Sequence, residues 1–143
     1  MFYPHFEVQR FLSSFHTENP HVKIGALGQM DVQTLLMASA LLVTDFSSIQ
    51  FDFAYMLKPE IYYQFDEARY WGTHHDRGYF DYRADGFGKV VTTQEALLTA
   101  IEAALASECA VTPEMQKHIR DTFGALDDHN CERNHQAIRE LML

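Results

Sequence analysis

Apolar and polar positions alternate along the chain in short strand-like runs separated by longer runs of helical period. Val8, Phe11, Leu12 and Phe15 recur at helical spacing and predict a short amphipathic helix over 7–15. Asn19-Pro20 marks a turn, 21–24 reads as a strand, and 25–30 as a loop with two glycines. Asp31 caps a helix carrying Val32, Leu35, Leu36 and Ser39. The apolar run 40–43 reads as a buried strand. Ser47 followed by Gln50 has the form of a capping box, so a helix is expected to start there. It should end near Leu57, because Pro59 disfavours a helical Lys58.

Beyond Pro59, 60–63 and 89–91 read as short strands. Between them, 65–82 is aromatic and mixed in charge without a clean period, which predicts a long loop of the kind that carries function. Thr92 with Glu95 forms a second capping box, opening a helix to about Leu105. Its inner stripe is expected to be Leu97, Leu98, Ile101, Ala104 and Leu105. Thr112-Pro113 starts a helix that ends by Gly124, and 131–143 reads as a terminal helix.

Strands alternating with helices predict an α/β fold: a Rossmann-like parallel sheet with helices on both faces, in one domain over 1–143. The strand ends after Ile24, Asp45 and Tyr63 should then share one edge, where such sheets bind ligands. That places the 44–48 turn at a ligand edge. Backbone N–H groups at a helix start, with the Ser47 and Ser48 hydroxyls, suit an anion. Two readings of Ser47 stay open at this point, a helix cap alone or part of an anion site.

Composition narrows the partners. A hydrophobic content of 47% over 143 residues supports a folded core. A formal net charge of −9 argues against non-specific nucleic-acid binding and against an anionic membrane surface. No apolar run approaches the roughly 20 residues of a spanning helix. Cys109 and Cys131 make no disulfide framework, so cytoplasm is the simplest location. Cys131 and His135 stand one helical turn apart without an evident third ligand, and the adjacent His74 and His75 diverge, so no metal site is expected.

The stretch Val43-Thr-Asp-Phe-Ser-Ser-Ile-Gln-Phe-Asp-Phe-Ala-Tyr-Met-Leu-Lys-Pro-Glu-Ile-Tyr-Tyr63 resembles the signature of the CDP-glycerol glycerophosphotransferase family, close to I-T-D-Y-S-S-x-x-F-D-F-x-x-x-x-K-P-x-I-x-Y. Phe46 stands where tyrosine is usual. Arg77-Gly78-Tyr79-Phe80-Asp81-Tyr82 resembles that family's R-G-x-Y-x-D-Y segment. Tyr3-Pro4-His5 resembles its K/R-P-H-P element, with Phe6 in place of the second proline.

The resemblance implies the carboxy-terminal, donor-binding half of a GT-B transferase. Its ligand would be CDP-glycerol or a related nucleotide-diphosphate donor, with no cofactor. Thr44, Asp45, Ser47 and Ser48 would form the phosphate turn, and Arg77 would clamp phosphate rather than serve as a surface ion pair. His5 would contact or protonate the donor phosphate. Asp45 and Asp52 read as architectural more than catalytic, and Asp31 as supporting. Tyr79 and Tyr82 are expected to pack the long loop down.

The chain opens on what reads as the end of a strand. It is therefore expected to lack its front and a preceding acceptor domain, to be silent alone, and to self-associate through an exposed sheet edge. Through that absent domain it would lie peripheral to the inner membrane. The alternatives are a non-enzymatic nucleotide or anion-binding module and a nucleotide-sugar glycosyltransferase domain.

Overall fold

Glu60-Ile61-Tyr62-Tyr63, the residues just after Pro59, form the middle strand of the sheet. The structure, a computed structural model, describes residues 1–73 and 78–142. The chain divides into two units, Met1–Ser39 and Ala40–Leu143. The first holds a 3-10 helix, Gln9–Ser14, and α1, Val32–Ala38. The second runs β1 (Leu42–Thr44), α2 (Ile49–Tyr55), β2 (Glu60–Tyr63), α3 (Glu67–Thr73), β3 (Gly88–Val91), α4 (Gln94–Ala106), α5 (Pro113–Phe123) and α6 (Asn130–Leu141).

In the first unit the expected strand 21–24 is reduced to one parallel bridge between Phe2 and Ile24. Phe2 N–H donates to the Lys23 carbonyl at 2.7 Å and Gly25 N–H to the Phe2 carbonyl at 2.8 Å. Gln9 ties the following loop: its amide donates to the Pro4 carbonyl at 2.9 Å and its Oε1 accepts from Leu27 N–H at 3.0 Å. The helix expected over 7–15 is shorter and tighter, with Val8, Phe11 and Phe15 exposed. α1 begins as expected, with Asp31 accepting from Thr34 N–H at 2.8 Å.

In the second unit the strand order is β1-β2-β3, all parallel, with Val43 opposite Ile61 and Ile61 opposite Lys89. Period two then sorts β2 between two helical layers. Ile61 packs with Val91 and Ala100, joined by Ala96, Leu97 and Ile101, so α4 covers that face. Glu60 and Tyr62 point the other way. On that side Ala54 of α2, Phe87 and Ile119 of α5 form a second cluster with Phe51, Phe80 and Phe123. Right-handed crossovers between neighbouring parallel strands send both connections to one face, and these residues lie where that rule puts them.

β2 is thus buried on both sides, whereas β1 is an edge of this sheet and Val43 is 40% exposed. The apolar run 40–43 does not lie buried as expected, because the most covered strand is the next one. The α4 cap is Thr93, accepting from Ala96 N–H at 3.2 Å, rather than Thr92. With the register so set, Leu98 and Leu105 fall on the exposed side, and Ala96 and Ala100 take inner places. α5 begins at the expected Thr112-Pro113 and stops at Gly124, whose φ of 67 favours glycine.

Candidate functional site

The β1–α2 turn is built by an aromatic anchor. Phe46 stacks on Tyr70 at 3.9 Å between ring centres and meets Trp71 at 5.5 Å and Tyr82 at 5.7 Å edge-on. Gln64, buried at the first position after β2, donates its amide to the Asp45 carbonyl at 3.4 Å. These contacts bring the turn, α3 and the 78–83 segment together at the carboxy edge of the sheet. Seven residues of the expected long loop, Glu67–Thr73, are therefore helix, and α3 forms because Tyr70 and Trp71 close over Phe46.

The capping box expected at Ser47 is not made. Ser48 is the cap residue, with helical backbone (φ −65, ψ −13) and no side-chain capping bond. Ser47 Oγ accepts weakly from Ile49 N–H at 3.5 Å. Gln50 turns inward instead, 2% exposed, and bonds the Tyr82 hydroxyl. α2 has only seven residues, so any charge at its start comes from a few local amides. The Ser48 side chain is exposed and Ser47 half-buried.

Beside the turn is a cavity of about 150 Å³ lined by Gln64, Glu67, Trp71, Phe80, Tyr82 and Arg83 among others. Arg83 donates from both guanidinium nitrogens to Glu67, at 3.2 and 2.9 Å, in a half-exposed bidentate pair. Burial, followed by the nearby Tyr70 hydroxyl, pushes the Tyr82 hydroxyl up to about 12. Burial and the Asp45 carboxylate raise Tyr70 also. Both phenols therefore stay neutral near pH 7 and keep an O–H that can donate.

Against the Tyr82 ring lies a buried polar cluster. Tyr62 hydroxyl accepts from Phe87 N–H at 3.0 Å and donates to Glu60 Oε1 at 3.2 Å. Glu60 and Tyr62 are 0% exposed. Desolvation lifts the Glu60 carboxyl to about 8, with Tyr62 opposing it slightly, and lifts the Tyr62 hydroxyl above its ordinary range.

Four of the residues expected to act together share one turn. Thr44 ends β1 opposite Tyr62, and Asp45, Ser47 and Ser48 follow in the same turn. Asp52 is exposed in the first turn of α2. His5 and Asp31 belong to the first unit. His5 is exposed, its Nδ1 accepting from Glu7 N–H at 3.4 Å. The Thr34 backbone and hydroxyl hold Asp31 below the usual carboxylate range, as befits a cap. Arg77, His74 and His75 lie outside the described residues. Tyr79 is 98% exposed and packs nothing down, while Tyr82 does so against Tyr62 and Phe80.

Among the described residues no three His, Cys, Asp or Glu side chains gather in one group. His129 instead pairs with Glu132 at 3.1 Å. No helix among them is long and apolar enough to cross a membrane. Gln64, Trp71 and Arg83 had escaped sequence reasoning. Gln64 was legible as the first residue past a strand at the ligand edge, and Trp71 as the single tryptophan.

The model of the CDP-glycerol:poly(glycerophosphate) glycerophosphotransferase family matches residues 1–138. The minor teichoic acid biosynthesis protein GgaB of Bacillus subtilis (strain 168) is 31% identical over 140 residues, covering 98% of this chain and 15% of that protein. The teichoic acid glycerol-phosphate transferase of Staphylococcus aureus (strain NCTC 8325 / PS 47) is 38% identical over 72 residues, 50% of this chain and 18% of that protein. A solved structure of the wall teichoic acid polymerase TagF matches with a TM-score of 0.66 at 19% identity, over 97% of this chain and 34% of that one. That likeness makes the fold GT-B-like, and the chain spans about a sixth of the length of GgaB. On the family match and the motif-bearing turn together, the chain belongs to the CDP-glycerol:poly(glycerophosphate) glycerophosphotransferase family.

Proposed function

We propose that these residues form the donor-binding part of a polyol phosphate transferase, with CDP-glycerol as the donor and a teichoic-acid-like or capsular polymer as the product. The observation that carries this reading is the β1–α2 turn. Ser48 sits exposed in that turn, just past the carboxy end of β1, and its hydroxyl has no part in capping the helix it begins. A serine pair kept at a helix start without that duty is suited to bind a diphosphate.

In this reading an acceptor hydroxyl attacks the β-phosphorus of the donor. The new phosphorus–oxygen bond forms as the bond to the bridging oxygen breaks, the acceptor loses its proton, and CMP leaves. Ser47, Ser48 and the amides beside them hold charge on the transferring group, with Arg77 as the proposed phosphate clamp. Thr44 and Asp45 shape the turn. His5 is proposed to hydrogen-bond or protonate the departing phosphate. We assign these residues donor binding, in the cytoplasm, and no turnover by themselves.

Calorimetry with CDP-glycerol on wild type, Ser48→Ala and Arg77→Ala tests the assignment. Wild type should bind, and each variant should lose about tenfold in affinity, the worth of one charge-assisted hydrogen bond. Equal affinity of all three, or no binding by wild type, removes the reading. A panel that selects nucleotide-sugars over CDP-glycerol would make the site one for sugar transfer. CMP release by the pure chain would overturn the silence assigned to it.

A further inference from the structure

Two buried oxygens in the cluster under Tyr82 have no hydrogen-bond partner, Glu60 Oε2 and Gln50 Oε1. Both residues are buried, Glu60 at 0% and Gln50 at 2% exposed. Buried acceptors left unpaired cost about 1–3 kcal/mol each, and native interiors rarely keep two in one cluster. The surrounding bonds dictate the repair. Glu60 Oε1 already accepts from Tyr62, whose hydroxyl in turn accepts from Phe87 N–H. The amide nitrogen of Gln50 is directed to the Tyr82 hydroxyl. What remains on each residue is one unpaired acceptor oxygen, and a proton on Glu60 would turn one of the two into a donor.

We propose that Glu60 enters the fold as the neutral acid, its hydroxyl donating to Gln50 Oε1, and so acts as a positioning residue for Tyr82 on the cavity wall. The relay runs Phe87 N–H, Tyr62, Glu60, Gln50, Tyr82, each member oriented by the one before it. The acid form fixes which end of the Gln50 carboxamide faces Tyr82. With a carboxylate at Glu60 the amide is drawn to turn its nitrogen inward, and Tyr82 loses its donor.

The ionisable groups that act on Glu60 are Tyr62 on its own strand and Tyr82 from the segment before β3. Its strand partners Leu42 and Gly88 carry no charge, α2 presents Gln50 while its Asp52 is exposed, and from α5 His118 is taken by the Gly86 carbonyl at 2.8 Å. Among the described residues no cation is found acting on Glu60. The raised ionisation of Glu60 agrees with this arrangement. The inference holds whatever ligand the cavity takes.

Carbon-13 resonances of the glutamate carboxyls and tyrosine Cζ atoms, followed from about pH 4 to about pH 10 on the 143-residue chain, provide the test. In wild type the carboxyl signal absent from Glu60→Gln should titrate near 8 rather than near the ordinary 4.5. The Tyr82 signal should move with the same midpoint, and should be flat over that range in Glu60→Gln. Gln50→Met, which removes the acceptor, should lower the Glu60 midpoint and uncouple Tyr82. Glu60→Gln keeps an N–H for Gln50, so it should melt within about 2 °C of wild type near pH 4, where the wild-type carboxyl is protonated whether folded or unfolded, while Glu60→Ala falls by about 5 °C or more. A Glu60 midpoint near 4.5, a Glu60→Gln chain no more stable than Glu60→Ala, or a Tyr82 signal indifferent to Glu60 would each overturn the proposal.

Discussion

Tyr62→Phe removes one oxygen and leaves the ring in place. That oxygen accepts from the Phe87 N–H at 3.0 Å, in a residue that is 0% exposed. It also donates to Glu60 Oε1 at 3.2 Å. Leaving a buried N–H unpaired costs about 1–3 kcal/mol, and the lost bond to the acid about 1 more. The expected destabilisation is therefore about 2–4 kcal/mol, with almost no packing loss to confuse it. Against a total stability of about 5–15 kcal/mol this is large. Urea unfolding followed by Trp71 fluorescence suits the measurement, since Trp71 lies edge-on to Phe46. At a slope of about 2 kcal/mol per molar, the midpoint should fall by about 1–2 M. Tyr55→Phe is the control. Its hydroxyl also makes two bonds, to the Asp127 carbonyl at 2.7 Å and from Asn130 at 2.9 Å, but these lie in exposed surroundings where water replaces them. The control should lose about 1 kcal/mol or less. If Tyr62→Phe shifts the midpoint no more than Tyr55→Phe does, the buried relay is not the strut described above.

Three other outcomes follow from the same geometry. Gly88→Ala would drive its Cβ into the Glu60 carbonyl of the paired strand, so urea unfolding should show a loss above about 3 kcal/mol or no folded chain at all. Thr112→Ala removes a capping bond of 3.2 Å and should cost about 1 kcal/mol, whereas Ser48→Ala, with no capping bond to lose, should leave thermal melting within about 0.5 kcal/mol of wild type. Glu60 is an acid whose folded value lies above its unfolded one, so its stabilisation is complete below about 4.5 and is lost as pH rises to about 8. Urea midpoints taken across that window should fall at up to about 1.4 kcal/mol per pH unit in wild type relative to Glu60→Gln, and a flat difference would refute the assignment.

Much of the architecture lay in local pattern. The strand 60–63, the caps at Asp31 and Thr112, and the stop at Gly124 depend on neighbours within a few residues, and they formed where the pattern put them. The misplaced features have a common cause. Ser47 and Thr92 each carry the letters of a capping box, yet α2 begins past Ser48 and α4 past Thr93. Gln50 was needed by Tyr82, and the β3–α4 register by Val91 and Ala100, and those demands come from across the fold.

The sequence by itself determined the alternation of strands and helices, the family motif, and the turn where two serines meet a helix start, because each rests on short-range spacing. Tertiary structure alone decided that β2 is the central strand, that Phe46 is held by Tyr70 and Trp71, and that Glu60 is buried with its carboxyl against Tyr62. Those facts depend on which faces are covered from both sides, and burial is set by residues distant in the chain. The ionisation of an acid follows from its surroundings, and letters in a row do not state them.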